Sequence, residues 1–187
     1  MQEIYIQDRN FDKHNLLTRG EYENCTFNNC NFSGSDLSEF RFIDCIFTGC
    51  NLSMAKLSKT AFLDVAFKDC KMLGIRFDTV SGFGLSFSFE SCQLNHSSFY
   101  KIQMKKAVFK NSQLLEVDFT EADLTSVVFD NCNLMKALFD HTILEKADLR
   151  TSYHFSIDPE INRIRKAKFS VSGISGLLDK YNIDIET

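Results

Sequence analysis

From Tyr22 onward every fifth residue is large and apolar: Tyr22, Phe27, Phe32, Leu37, Phe42, Phe47, Leu52, Leu57, Phe62, Phe67, Met72 and Phe77. A second block, displaced by two residues, runs Phe89, Leu94, Phe99, Met104, Phe109, Leu114, Phe119, Leu124, Phe129, Leu134, Phe139, Leu144 and Leu149. Two residues before each centre stands a mostly small residue (Gly, Cys, Ala, Ser, Thr or Val), with Phe40, Ile75, Phe87 and Ile102 as the large exceptions. The positions between are polar, as at Asn31, Asp36, Asn51, Asn133 and Asp148. A period of five with apolar residues at i and i−2 fits neither the 3.6 of a helix nor sustained alternation. It fits a chain extended for about three residues, so that i−2 and i point the same way, which then turns before repeating. If each step turns by roughly a right angle, four steps close a square coil of about twenty residues, and coils stack at the ~4.8 Å strand spacing. The pattern therefore predicts an all-β solenoid filled by small i−2 and large i side chains.

The register fails at residues 78–88, "DTVSGFGLSFS", where Gly82 occupies a centre. That stretch is either a two-residue bulge or a seven-residue loop, and it either bends the coil or projects as a recognition loop with Phe83. Residues 1–19 hold the repeat poorly and are expected to cap one end, with Phe11, Leu16 and Leu17 as cover. Residues 150–187 form the C-terminal segment: an excursion over 150–166 containing the single proline, Pro159, then a short strand around Lys168 to Val171. There Ile174, Leu177, Leu178 and Tyr181 fall at i, i+3, i+4 and i+7, which predicts a capping α-helix with Ser172 at its start. Ile183 and Ile185 alternate in the tail and can pack on a second copy.

Runs such as "NFSGSDLSEF", "EADLTSVVFDNCNLMKALF" and "LEKADLR" resemble pentapeptide-repeat proteins of the A-[DN]-L-x-x type over about residues 20–149. The resemblance implies a right-handed quadrilateral β-helix, here of about six to seven coils, with no enzymatic activity and no cofactor. The "LLDKYNI" ending after the repeats resembles Qnr-type members, whose C-terminal cap forms a head-to-head dimer. A homodimer through Ile174, Leu177, Leu178, Tyr181, Ile183 and Ile185 is implied. Such members are thought to mimic B-form DNA and bind type II topoisomerases. DNA gyrase or topoisomerase IV is then the implied protein partner, with altered quinolone sensitivity as the consequence.

Charge bears on that implication. The chain of 187 residues has a formal net charge of −4 and pI near 5.6, which predicts no direct nucleic-acid contact from net charge. Residues 111–149 concentrate Glu116, Asp118, Glu121, Asp123, Asp130, Asp140, Glu145 and Asp148 against Lys136 and Lys146. An acidic rod is what a phosphate-binding saddle requires. Twenty-residue stacking also predicts compensating ladders: Lys101 with Glu121, Lys110 with Asp130, Asp130 with Arg150, and Glu116 with Lys136. The alternative function is a rigid protein-binding scaffold for an unrelated partner, contacted through 78–88 or 150–166.

The seven cysteines, Cys25, Cys30, Cys45, Cys50, Cys70, Cys92 and Cys132, all fall at i−2. There cysteine acts as a small hydrophobe, with a metal site or a disulfide between stacked coils as the lesser alternatives. Four histidines show no ligand spacing, and "SGISG" is not a nucleophile elbow, because Ser175 is followed directly by Gly176. The N-terminus lacks a signal-peptide pattern and no apolar run approaches the ~18 residues of a membrane span, so a cytoplasmic protein is expected.

Overall fold

The computed structural model describes residues 4–185. Its strands are β1 (Ile4–Gln7), β2 (Asn10–Asp12), β3 (Gly20–Glu23), β4 (Thr26–Asn28), β5 (Arg41–Ile43), β6 (Ile46–Thr48), β7 (Ala61–Leu63), β8 (Val65–Lys68), β9 (Phe87–Glu90), β10 (Val108–Lys110) and β11 (Val128–Asp130). All pairings are parallel, in two sheets ordered β1-β3-β5-β7 and β11-β10-β9-β8-β6-β4-β2. Register follows the predicted coil: Tyr22 lies beside Phe42 and Phe42 beside Phe62, each one coil of twenty residues apart. The other two sides are closed by single bridges, Asn31 to Asn51 to Lys71 on one and Arg76 to Ser98 to Asp118 to Leu138 on the other. The chain is thus an all-β solenoid of about six turns. We number the sides by their centres: side 1 (Tyr22, Phe42, Phe62), side 2 (Phe27, Phe47, Phe67), side 3 (Phe32, Leu52, Met72) and side 4 (Leu37, Leu57, Phe77).

The phenylalanines stack by column. Along side 2, ring centroids from Phe11 through Phe27, Phe47, Phe67, Phe89 and Phe109 to Phe129 are 4.4–5.3 Å apart and near-parallel. Side 4 continues from Phe77 through Phe99 and Phe119 to Phe139 at 4.5–5.3 Å. Between columns the rings meet edge to face, as Phe99 meets Phe109 at 87°. Both geometries suit the ring quadrupole, so one column supports the next.

Corners recur because the residue two past most centres has positive φ, for instance Asn24, Asp44, Lys106, Asn131 and Lys146 at 51–63°. Asn, Asp and Gly tolerate this region best. At many corners the next i−2 N–H donates to the centre's carbonyl, as Val127 N does to Leu124 O at 3.0 Å, which is the bond of a tight turn.

At residues 80–86 the coil contains two extra residues, since β8 pairs β9 with Phe67 beside Phe89. Val80 and Leu85 stay against the core, Gly84 (φ +65) turns the chain over Leu63, and Phe83 projects with 83 % of its surface exposed. The first coil is short: Ile6 pairs with Tyr22 and Phe11 with Phe27, sixteen residues apart. Past Leu149 the ladder goes on, with Tyr153 bridging Asn133, Arg163 bridging Ile143 and a single bridge from Lys168 to Asp148. Only the side around Pro159 leaves the pattern.

The expected capping α-helix does not form. Ile174–Leu177 and Asp179–Tyr181 are short 3-10 turns, and Asn182 (φ 48) ends the second. Periodicity alone favoured a helix, but Gly173 and Gly176 weaken one, and the backbone at 176 is already engaged. Ile157 N donates to Gly176 O at 2.8 Å, and a Cβ on Gly176 would lie 2.2 Å from the Phe155 carbonyl oxygen. Nor does Ser172 cap the segment: Gly173 stands at that position, and its N–H goes to the Ser170 hydroxyl at 3.0 Å.

Candidate functional site

The cysteines show first what the interior does. Corners after the side 2 centres Phe27, Phe47, Phe67 and Phe129, and after Phe139 on side 4, lack the tight-turn bond, leaving a buried carbonyl and N–H to satisfy. A side chain from the next coil does this. Cys50 Sγ donates to Phe27 O at 3.2 Å and accepts the Cys30 N–H at 3.3 Å. Cys70 and Cys92 likewise reach Phe47 O and Phe67 O. Ser152 Oγ donates to Phe129 O at 2.8 Å and takes the Cys132 N–H at 3.3 Å. Asn162 performs both halves after Phe139: its amide donates to Phe139 O at 2.9 Å and its carbonyl accepts the Thr142 N–H at 2.8 Å. These buried i−2 residues are corner staples, chosen for a short side chain able to donate and accept. Sequence reasoning took them for filling. The missed signal is that Ser, Thr and Asn recur in an otherwise apolar slot.

All seven thiols are buried, and burial pushes those of Cys45 and Cys132 up to about 12. In native protein at pH 8 none should react with a thiol reagent within minutes, whereas all seven should react after denaturation. A fast-reacting thiol would contradict the ladder. Because the folded thiols of Cys45 and Cys132 stay neutral while unfolded thiols ionise near pH 8.5, their contribution to stability should hold below that pH and fall above it. Among the described residues no three metal-ligating side chains converge, and no helix is long and apolar enough to cross a membrane.

The eight acids singled out in 111–149 do not share a surface. Asp123 and Glu145 lie on side 1, Asp130 and Asp148 on side 2, Asp118 and Asp140 on side 4, and Glu116 and Glu121 at the corners after sides 3 and 4. Most are answered locally. Lys101 pairs with Glu121 at 3.3 Å and Lys136 with Glu116 at 3.7 Å, as the ladders predicted. Two ladders are redirected: Lys110 reaches back to Glu90 at 3.0 Å, and Arg150 turns to Asp148 at 2.7 Å on its own coil. Lys110 has an acid on each neighbouring coil and takes one. Arg150 sits two residues from Asp148, close enough for a forked contact that holds that carboxyl below its usual range. Asp130 instead accepts the Thr151 hydroxyl at 2.9 Å. Asp140 pairs with His141 and Glu145 with Arg163. The aligned acids lie elsewhere: stacking gathers Asp8, Glu21, Glu23, Asp44 and Asp64 on or beside the N-terminal half of side 1. A window along the chain cannot find them, because they come from four successive coils.

At the C-terminal end Ile174, Tyr181, Ile183 and Ile185 are about half exposed, whereas Leu177 packs on the core and Leu178 is partly buried.

These features define a parallel β-solenoid built from five-residue steps, with side chains rather than a cavity in its interior. The pentapeptide repeat region signature matches residues 21–81 and 85–153, and the chain belongs to the pentapeptide-repeat family. It is similar in fold to a trypsin-treated form of QnrB1, a plasmid-mediated fluoroquinolone resistance protein, at TM-score 0.62 and 21 % identity, covering 98 % of this chain and 100 % of that one. HetL from the cyanobacterium Nostoc sp. strain PCC 7120, a pentapeptide repeat protein involved in heterocyst differentiation regulation, matches at TM-score 0.36 and 14 % identity, covering 90 % and 86 %. No curated protein sequence matches the chain.

Proposed function

We propose that this protein is a non-enzymatic binding rod that seats a protein partner on the loop at residues 80–86. The observation that carries this reading is Phe83, a large apolar side chain 83 % exposed at the tip of the one two-residue insertion within the repeats. A packed core holds the flanking coils, so the loop is presented without a large ordering cost. The Qnr likeness suggests a type II topoisomerase, DNA gyrase or topoisomerase IV, as that partner. Contact through the loop is favoured over DNA mimicry, because the acids of 111–149 are dispersed around the rod and largely paired. The half-exposed Ile174, Tyr181, Ile183 and Ile185 support self-association through the C-terminal end.

The test is a gyrase supercoiling assay with and without a fluoroquinolone. The wild type is expected to inhibit supercoiling or relieve the drug at micromolar concentration. Phe83→Ala should weaken the effect at least tenfold, because burying a phenylalanine contributes about 1.5–3 kcal/mol, and should leave thermal stability unchanged. No effect of the wild type on either readout rejects the topoisomerase partner. An unchanged effect in Phe83→Ala rejects the loop.

A further inference from the structure

Of the 21 lysines and arginines, 11 pair with a carboxylate among the described residues, and four of the other ten gather at one edge. The corner between sides 1 and 2 is a single line of positive-φ residues, Asp8, Asn24, Asp44, Asp64, then Lys106, Ser126, Lys146 and Lys166. Stacked backbones hold the line straight: Lys106 N donates to Thr125 O and Lys146 N to Arg165 O, both at 3.0 Å. Its N-terminal half is acidic and its C-terminal half basic. Beside the basic half, Lys105 answers Asp123, Arg163 answers Glu145 and Lys168 answers Asp148. Lys106, Lys146, Arg165 and Lys166 are left without a carboxylate partner among the described residues. Three of these four meet at a depression of ≈ 250 Å³ lined by Glu145, Lys146, Arg165 and Lys166. Glu145 is held by Arg163 at 2.6 Å, so the depression presents net positive charge.

We propose that this edge binds the phosphate backbone of duplex nucleic acid. Arg165 supplies a planar fork for one phosphate in the depression, flanked by the ammonium groups of Lys146 and Lys166. Lys106 lies three coils from Lys166, ~14 Å at ~4.8 Å per coil, which suits a line of anions rather than a single one. One strand of B-form duplex offers a phosphate every ~3.4 Å of axis, so that span covers several phosphates. Binding to single strands relies on aromatic platforms for the bases. Between Lys106 and Lys166 this edge carries none, its outward neighbours being Gln103, Lys105, Asp123, Thr125, Ile143, Glu145, Arg163 and Arg165 on side 1. The contact is therefore with the backbone, independent of base sequence, and local charge overrides the net charge of the chain. The acidic half of the same edge repels the duplex and orients the rod, basic end toward it. This site is separate from the loop at 80–86 and does not depend on the partner assigned to that loop.

Fluorescence anisotropy with a labelled 20-bp duplex, titrated with full-length protein across a salt series, tests the assignment. Four phosphate contacts predict a log–log salt slope of about −3.6, so affinity should rise roughly 300-fold between about 150 and 30 mM salt. The variant K106Q/K146Q/K166Q should reduce the slope to about −0.9, while K56Q/K59Q, on side 4, should change neither slope nor affinity. Circular dichroism melts of each variant separate lost binding from lost folding. Absence of binding at about 30 mM salt overturns the proposal, as does a slope unchanged in the triple variant. Tighter binding of a single strand, or of poly-glutamate of equal charge, assigns the edge to another ligand and also overturns it.

Discussion

Replacing Phe119 with alanine is expected to lower the free energy of unfolding by about 3–5 kcal/mol, measured as a shift in the urea unfolding midpoint. Phe119 is fully buried, stacked between Phe99 at 5.3 Å and Phe139 at 5.2 Å, and met at steep angles by Phe109 and Phe129. Truncation removes the ring's transfer free energy and leaves a cavity that the stacked coils cannot close. It also interrupts a column, so the coils above and below lose an aromatic neighbour. Phe119→Leu should cost much less, because leucine fills the same slot at Leu114 and Leu124. The exposed Phe83→Ala should stay within about 0.5 kcal/mol of wild type. Equal effects at Phe119 and Phe83 would contradict the placement of the two rings.

Asn162→Ala is expected to cost about 2–4 kcal/mol, although it removes a polar side chain from an apolar interior. Asn162 is 5 % exposed, and its amide satisfies both Phe139 O and the Thr142 N–H. Alanine strands two buried backbone groups, each carrying a desolvation penalty of about 1–3 kcal/mol. Lys56→Ala, exposed, outside the positive-φ corners and without an ion-pair partner among the described residues, should fall within about 0.5 kcal/mol of wild type in the same measurement. A negligible change at Asn162 would show that water reaches this corner and that the staple is dispensable.

The fold was legible because the repeat is redundant. Phe27, Phe47 and Phe67 each announce the same slot, so a residue such as Phe40 in the small position cannot erase the pattern. Continuation of the coil through Arg163 and Lys168 was less legible, because His154 and Pro159 occupy the centres between Leu149 and Ile164. The C-terminal segment misled for a different reason. Spacing of Ile174, Leu177, Leu178 and Tyr181 reports a possible face, whereas the contact between Gly176 and Phe155, which decides the local backbone, joins residues far apart in sequence. Candidate surfaces were least legible. An acidic window such as 111–149 is wound around four sides, while the charges that do align, Asp44 with Asp64 and Lys146 with Lys166, are one coil apart and look unrelated along the chain.

The corner staples give the rod a polarity. Cys45, Cys50, Thr60, Cys70, Cys92, Ser97, Thr142, Ser152 and Asn162 all donate to a carbonyl in the coil that precedes them. Each coil is thus completed by the one made after it. During synthesis the newest coil always waits for its successor. Removing residues from the C-terminal end unlatches the coil left behind, whereas trimming the N-terminal end takes no latch from what remains. Fraying should therefore begin at the C-terminal coil and run backward, opposite to the direction in which the chain is made.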